Sequence, residues 1–527
     1  MATTSAVYGV SHPPGYPLFT LLGIIFVRLP IEATVAWKFS LVSLISAIIA
    51  LFFFYKLLLR LGISKLLSMI TLSILAFTYA FWLYAEVVEV FSLYYLFFIL
   101  LFYLGFSFYQ TKQDKYLYLL SFFIGLSLSH QQAILILFPA LFLMVFFANK
   151  KVLINPGIIL KCIGFVVIGL LPYFYLPISY MLNPPITWLT ELTPSALIQH
   201  VLRLNYGWVT SATTPLSERV FAVITYFTYW LFHLPLILIL TSLIGAAALF
   251  VKKRKLFVLI SLAFFISGPL FVFYAATSAA RAFTFGVLER FYVSSYIMFL
   301  LFFPFGVLEI VRLCMKAVEV LLKKKVKSSL LLHLPHALTL LFIIIPVSLF
   351  FTNSHRIDMS EMRIGEYYAL DILNPLPKKS IVFADVDTTV FPTHYVQYVL
   401  GVRRDILMPS FSQLQQIILR DKRYSKVYKE ILKNERYARD SDYVIDTALS
   451  LRASRPVFSP AKVKNTEYSG SFVWMPYGLV YKAVTKNEIP VKEEYIRSQE
   501  LFWERSFIDR IREYRDAPNL PLVFQEI

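Results

Sequence analysis

Cysteine is scarce: Cys162 and Cys314 are the two in 527 residues, and both fall inside apolar runs. That argues against a disulfide framework and a cysteine-built metal site, and it leaves the compartment unread. Charge is sparse too, at 16% of residues against 58% hydrophobic and 17% aromatic, far too little polar surface to coat a soluble chain of this size. The sequence holds no Walker loop, no dinucleotide-binding glycine fingerprint and no His-Glu-x-x-His pair. No cofactor is therefore expected. Asp385-Val386-Asp387 reads as an Asx turn rather than a divalent-metal site, although a metal there stays open. Acidic residues are the scarcer sign, 32 against 50 basic, for a net charge of +18. In a soluble protein that balance would raise nucleic-acid binding. Here the basic residues cluster between apolar runs, as at Lys252 to Lys255 and Lys323 to Lys325, in the manner of cytoplasmic loops, and no RNA-binding motif accompanies them. The expected partner is the lipid bilayer, with no nucleic acid.

A spanning helix needs about 20 apolar residues. About ten candidate spans are legible: 34–59, 66–85, 88–109, 116–130, 132–148, 158–181, 220–250, 256–276, 291–314 and 329–352. Arg60 and Lys65, Lys112 and Lys115, Lys150 and Lys151, and the two lysine clusters fall on alternate connections, which assigns that side to the cytoplasm. After residue 352 the composition changes to mixed charge with short apolar runs. The expected architecture is a mainly α, polytopic membrane domain over 1–352 and a smaller extramembrane α/β domain over 353–527. The latter should have a helix near 361–373, strands at 380–384, 406–408 and 471–484, a helix after Pro392 and a helical tail from 493. No internal repeat is apparent, which weighs against a two-fold transporter architecture.

The unusual polar stretches fall on the connections opposite the basic ones. Ser11-His12-Pro13-Pro14-Gly15-Tyr16-Pro17-Leu18 is a stiff bracket around His12 and Tyr16, because three prolines fix φ and Gly15 permits a turn. It reads as a site and also as a helix start with Pro17 at the first position. Glu86 and Glu89, three apart, would share a helix face at the membrane border, as a functional pair or as a solvated helix start. Ser129-His130-Gln131-Gln132 breaks an apolar region at the same depth, for a site or for bonds between helices. Asn183 to Trp188, continuing through His200, Arg203 and Tyr206, combines proline bracing with groups suited to sugar faces and phosphate oxygens, or else forms an interfacial aromatic belt. Arg281 and the run Glu289-Arg290-Phe291-Tyr292 supply further cations, unless either arginine merely pairs with Glu289.

At these residues the chain resembles a family of multi-span proteins marked by a His-Pro-Pro-Gly-Tyr-Pro loop, which includes the eukaryotic endoplasmic-reticulum O-mannosyltransferase of receptor IPT domains. The resemblance is carried by Gly9 to Gly23, Ala85 to Phe97, Gly125 to Gln132, Leu171 to Trp188, His200 to Gly207, Glu289 to Tyr296 and Gly401 to Ile406, in family order. It implies a GT-C glycosyltransferase fold, a polyprenyl- or dolichyl-phosphate sugar as donor, a protein or glycan hydroxyl as acceptor and an inverting transfer. Mannose on protein Ser/Thr is the first expectation. In the inverting transfer expected here, His12 with Arg281 or Arg290 would stabilise the departing phosphate, Tyr16 and Trp188 would contact donor or sugar, and Glu86 and Glu89 are the in-chain acid/base reserves. His130, Gln131, Arg203, Tyr206 and Tyr292 complete the candidate binding set. The family's acidic motif normally precedes the histidine by about fifteen residues, so a missing upstream span and acidic loop are expected. The expected location is a prokaryotic inner membrane, or alternatively the endoplasmic reticulum, with the C-terminal domain non-cytoplasmic. A lipid or sugar transporter and a non-catalytic scaffold are the competing readings.

Overall fold

The computed structural model describes residues 1–189, 191–204, 214–275, 282–321, 328–360, 362–383, 387–408, 449, 455–460 and 472–509. It is a helical, multi-pass membrane architecture with one small sheet. In chain order the helices are α1 (Ala2–Ala6), α2 (Pro17–Phe26), α3 (Val35–Arg60), α4 (Lys65–Ala76), α5 (Tyr79–Glu86), α6 (Phe91–Thr111), α7 (Asp114–Leu128), α8 (Phe138–Asn149), α9 (Pro156–Gly169), α10 (Tyr175–Met181) and α11 (Pro194–Val201). They continue as α12 (Leu216–His233), α13 (Leu236–Lys252), α14 (Arg254–Phe265), α15 (Phe271–Ala275), α16 (Ala282–Leu300), α17 (Phe303–Leu321), α18 (Ser328–Leu340), α19 (Ile344–Ile357), α20 (Ile364–Leu373) and α21 (Asp387–Tyr398).

Among the described residues six helices are long and apolar enough to cross a bilayer, or up to nine if each bent pair is one span. Those numbers fall short of the ten expected for identifiable reasons. The candidate at 116–130 is α7, only 15 residues long. The 220–250 run is not one span: α12 and α13 meet at 116°. Pro235 holds Leu234 extended, at φ −118° and ψ 134°, so the helix must stop there. The 66–85 run bends by 67° at Phe77. Asn353 Nδ2 donates to the Phe77 carbonyl at 2.8 Å, satisfying backbone that the break would otherwise leave bare in lipid. In the 256–276 run, Pro269 is absorbed by a π turn at Ile266–Leu270 between α14 and α15.

Close helix crossings set the interior. An added Cβ at Gly245 would overlap the Phe302 carbonyl, and one at Gly306 the Thr241 carbonyl, so α13 and α17 touch backbone to backbone. Around these contacts Phe, Tyr and Leu side chains of α3, α6, α14 and α16 form one continuous core. The basic connections gather at one end: the Arg60 guanidinium donates to the Tyr103 and Tyr116 hydroxyls at 3.4 and 3.2 Å, and Lys255 lies 5.7 Å over the Phe147 ring. Residues 323–327 lie outside the described residues.

The C-terminal unit has a four-stranded sheet in the order β1 (Ile381–Val382), β2 (Val457–Ser459), β4 (Val480–Val484), β3 (Val473–Tyr477). β1 and β2 are parallel and the other pairs antiparallel. The single strand expected at 471–484 is a hairpin, because Gly478 takes φ +60° and turns the chain between Tyr477 and Val480. Leu407 of the expected 406–408 strand forms one parallel bridge with Ile381. The helix expected after Pro392 begins earlier, at Asp387, with Pro392 in its interior. Ala369, Ile372, Val382, Val396 and Phe458 form this unit's own core, and the expected tail helix is present at Lys492–Arg505. α21 rests on the bundle: Tyr395 bonds the Ala36 backbone and the Thr34 side chain, and Phe391 meets His12.

Candidate functional site

The loop at 11–18 is fixed from inside and outside. Ser11 Oγ donates to the Gly15 carbonyl at 2.8 Å, and Gly15 N–H donates to the His12 carbonyl at 2.8 Å. Gly15 sits at φ +86°, and a Cβ there would come within 2.8 Å of Leu176 and 3.1 Å of His200 Nε2, so glycine is what lets the loop lie against α10 and α11. Tyr16 caps α2 with Pro17 at its first position, so the helix-start reading holds. The preceding residues are held as well: the Tyr175 hydroxyl donates to the Gly9 carbonyl at 2.8 Å, Ser179 Oγ to Tyr8 at 2.5 Å, and Trp188 N–H to Val10 at 3.1 Å.

His12 is thereby caged by aromatic rings, Tyr16 at 5.4 Å, Trp188 at 6.1 Å and Phe391 at 6.1 Å. Burial pushes its imidazole down to about 3, and the positive charges of Arg203 and Arg290 push the same way. His12 is therefore neutral at physiological pH. In that state it can donate or accept a hydrogen bond but carries no charge to offset an anion. His200, 4% exposed, is likewise pushed down, to about 4, by burial.

Both histidines have folded values below the unfolded one, so the unfolded chain binds more protons between about pH 4 and 6.5. Their contribution is complete above the unfolded value and is lost as pH falls. Thermal melts of the detergent-solubilised protein should drop from pH 7 to pH 5, by about 1–2 kcal/mol per histidine. A His12→Gln, His200→Gln protein should show a smaller drop, keeping the part that other buried histidines such as His130 and His394 contribute, and an equal drop in the double variant would refute the assignment.

The second half of the site is an ion pair. Arg290 Nη1 lies 3.0 Å from Glu89 Oε1, its guanidinium lies 5.2 Å over the Phe91 ring, and its carbonyl accepts the Tyr95 hydroxyl at 2.6 Å. Arg290 therefore does not pair with Glu289. Nor do Glu86 and Glu89 share a helix face. α5 stops at Glu86 because Val87 is extended at ψ 156°, and the chain turns before α6. Glu86 stays outside, accepting the Trp82 indole N–H at 2.8 Å, while Glu89 swings to α16. His130 holds this turn: its Nε2 bonds the Val90 carbonyl at 2.8 Å, and its ring meets Phe19, Phe97 and Tyr16 at 5.7, 6.1 and 6.2 Å. Gln131, next along, is buried with its Oε1 unpartnered. The 129–132 turn thus joins the His12 loop to the Glu89 turn.

His12, Tyr16, Trp188, His200, Arg203, Glu89 and Arg290 are brought toward one end of the bundle, opposite the basic connections. Tyr292 is not among them. Two residues past Arg290, about 200° around the helix, it packs with Tyr226 at 4.9 Å and Tyr229 at 5.5 Å in the core. Tyr206, Arg281 and Asp385 lie outside the described residues. Glu289 was legible only as a partner for an arginine. It is 1% exposed and accepts the Tyr84 hydroxyl at 3.0 Å, with Tyr229 bonding it as well. A carboxylate opening an apolar span was the signal available. Among the described residues no group of three or more His, Cys, Asp or Glu is placed to hold a metal ion.

Residues 1–154 match the protein O-mannosyl-transferase TMEM260 N-terminal domain. The chain is also 31% identical over 265 residues to the Dictyostelium discoideum protein O-mannosyl-transferase tmem260, covering 45% of this chain and 32% of that protein. Against the Mus musculus protein O-mannosyl-transferase TMEM260 it is 30% identical over 231 residues, covering 42% and 33%. The matches span about a third of the length of these curated relatives. His12, Tyr16, Glu89 and His130 lie inside the family match; Trp188, Arg203 and Arg290 lie outside it.

Proposed function

We propose that this chain is a GT-C type membrane glycosyltransferase that moves a sugar, with mannose the first candidate, from a polyprenyl- or dolichyl-phosphate donor to a hydroxyl on protein Ser or Thr. The observation that carries this reading is the match of residues 1–154, which contain the His12 loop and Glu89, to the N-terminal domain of a protein O-mannosyl-transferase. The site geometry is compatible with it, because an aromatic cage, a carboxylate and a partly buried arginine lie at the same end of the bundle.

In the proposed step a carboxylate takes the acceptor O–H proton, and the freed oxygen attacks the anomeric carbon. The bond from that carbon to the phosphate oxygen breaks on the opposite face, and its electron pair leaves with the lipid phosphate. Among the described residues Glu89, paired with Arg290, is the carboxylate assigned this role. Arg290 and Arg203 stabilise the charge growing on phosphate. Neutral His12 contributes a hydrogen bond, and Tyr16 and Trp188 contact the donor or sugar. The lipid carries the activated sugar, so no nucleotide is required. The C-terminal unit, resting on the loop through Phe391, would help select the acceptor from the non-cytoplasmic side of a prokaryotic inner membrane, or alternatively of the endoplasmic reticulum.

Proteoliposomes supplied with radiolabelled polyprenyl-phosphate mannose and a Ser/Thr-rich peptide test this. Label should appear on the peptide, linked with inverted anomeric configuration. Label that crosses the bilayer still attached to lipid would instead mean a flippase, and no reaction would mean a scaffold; either outcome rejects the proposal.

A further inference from the structure

In the C-terminal unit, the end of α20, the turn between β3 and β4 and the last described helix, α22 (Lys492–Arg505), border a cavity of about 310 Å³. Asp371 and Asn374 line it from the end of α20, Tyr477 from the turn, and Gln499, Phe502 and Arg505 from α22. Those last three, each three residues apart, fall within about 120° of one another, so a single face of α22 forms that wall. The walls are joined around it. Gly478 N–H donates to Gln499 Oε1 at 3.1 Å, and a Cβ at Gly478 would come within 2.6 Å of the Phe502 ring, so glycine lets the turn lie on α22. The Tyr477 hydroxyl donates to the Pro375 carbonyl at 3.0 Å and ties the turn to the end of α20.

The polar groups of this lining are under-used. Asp371, 4% exposed, sits in the last turn of α20, where the helix dipole opposes a negative charge. Its two oxygens share one protein donor among the described residues, the Phe507 N–H, at 3.0 and 2.9 Å. A carboxylate has about four lone-pair sites, so most of its accepting capacity is open. Among the described residues the Arg505 guanidinium has no ion pair or hydrogen-bond acceptor, and the side-chain amide N–H groups of Asn374 and Gln499 have none either. An anion entering the cavity would face Asp371 and a cation would face Arg505. A neutral hydroxyl meets both, because it donates and accepts. Several hydroxyls on one compact ring suit a carboxylate, a guanidinium and two amides together, and Phe502 and Tyr477 offer aromatic surface to the C–H face of such a ring. The volume lies at the lower end of the range for small-molecule sites.

We propose that this cavity binds one neutral hexose unit of a glycan, with Asp371 accepting from its hydroxyls and Arg505, Asn374 and Gln499 donating to them. None of these residues belongs to the His12 site, so the proposal does not depend on the glycosyltransferase reading.

The full-length protein in nanodiscs free of glycoside detergent, titrated in turn with the methyl glycosides of mannose, glucose and galactose and read by saturation-transfer NMR, tests it. At least one should bind with a Kd of about 1 mM, the affinity of a hexose-sized ligand at ordinary ligand efficiency. Arg505→Gln should weaken that binding about tenfold and Asn374→Ala about fivefold. Both positions are exposed, and an unchanged elution volume would show that each variant is intact. Glucuronate and glycine, the anionic and zwitterionic alternatives, should compete poorly. Absence of transfer to all three glycosides, a Kd unchanged by Arg505→Gln, which would place the sugar elsewhere on the protein, or tighter binding of glucuronate or glycine would each overturn the proposal.

Discussion

An Arg290→Ala protein is expected to insert and fold but to transfer sugar about 10²–10³-fold more slowly, the range typical for removing a group that stabilises developing negative charge. Neutral His12 cannot replace it, because burial holds the imidazole near 3, far below working pH. Arg290 is itself kept in place by Glu89 at 3.0 Å, by the Phe91 ring and by the Tyr95 hydroxyl on its carbonyl. The loss should fall mainly on kcat, since the charge on the leaving phosphate grows in the transition state. Arg290→Lys should recover part of the rate, keeping the charge but losing the planar fork. His12→Ala, which removes the proposed hydrogen bond to the phosphate and three ring contacts, should also lose transfer while leaving insertion intact. Turnover by Arg290→Ala equal to that of the native protein would remove Arg290 from the mechanism.

Glu289→Ala should lower stability by about 3 kcal/mol, because it strips the acceptor from the buried Tyr84 hydroxyl and opens a hole beside Tyr229. Glu289→Gln keeps an acceptor oxygen of similar size and should cost about 1 kcal/mol. The difference reports whether the carboxylate ties α5 to α16. Since α16 also carries Arg290, the alanine variant should weaken substrate binding as well as stability. Denaturant titration in mixed micelles reads the ordering, and an alanine variant no less stable than the glutamine variant would show that the Tyr84 bond is incidental.

The contrast between Glu86, Glu89 and Glu289 shows how far sequence spacing reaches. Three residues apart on an assumed helix, Glu86 and Glu89 looked like a pair. One extended residue, Val87, ends the helix and sends them to different partners. Glu289 looked like a partner for Arg290, its neighbour in sequence, yet successive helical positions diverge by about 100°, so the two point to separate elements. Tyr292, two positions past Arg290, likewise faces a different neighbour, Tyr226. His130 and the His12 loop fared better because a rigid or polar break in an apolar run is visible without knowing what lies opposite.

By itself the sequence determined the membrane class, the segregation of positive charge from unusual motifs, most helix positions, and the His12 loop as a stiff feature. These depend on composition, hydrophobic length and proline geometry, which are local properties. The tertiary structure decided which helices break, at Phe77 and Pro235, and that Glu89 meets Arg290 across about two hundred residues of chain. It also decided that His12 is neutral inside its ring cage. Each of these depends on which distant side chain fills the space beside a residue, and burial, pairing and cavity shape are fixed only when the helices pack.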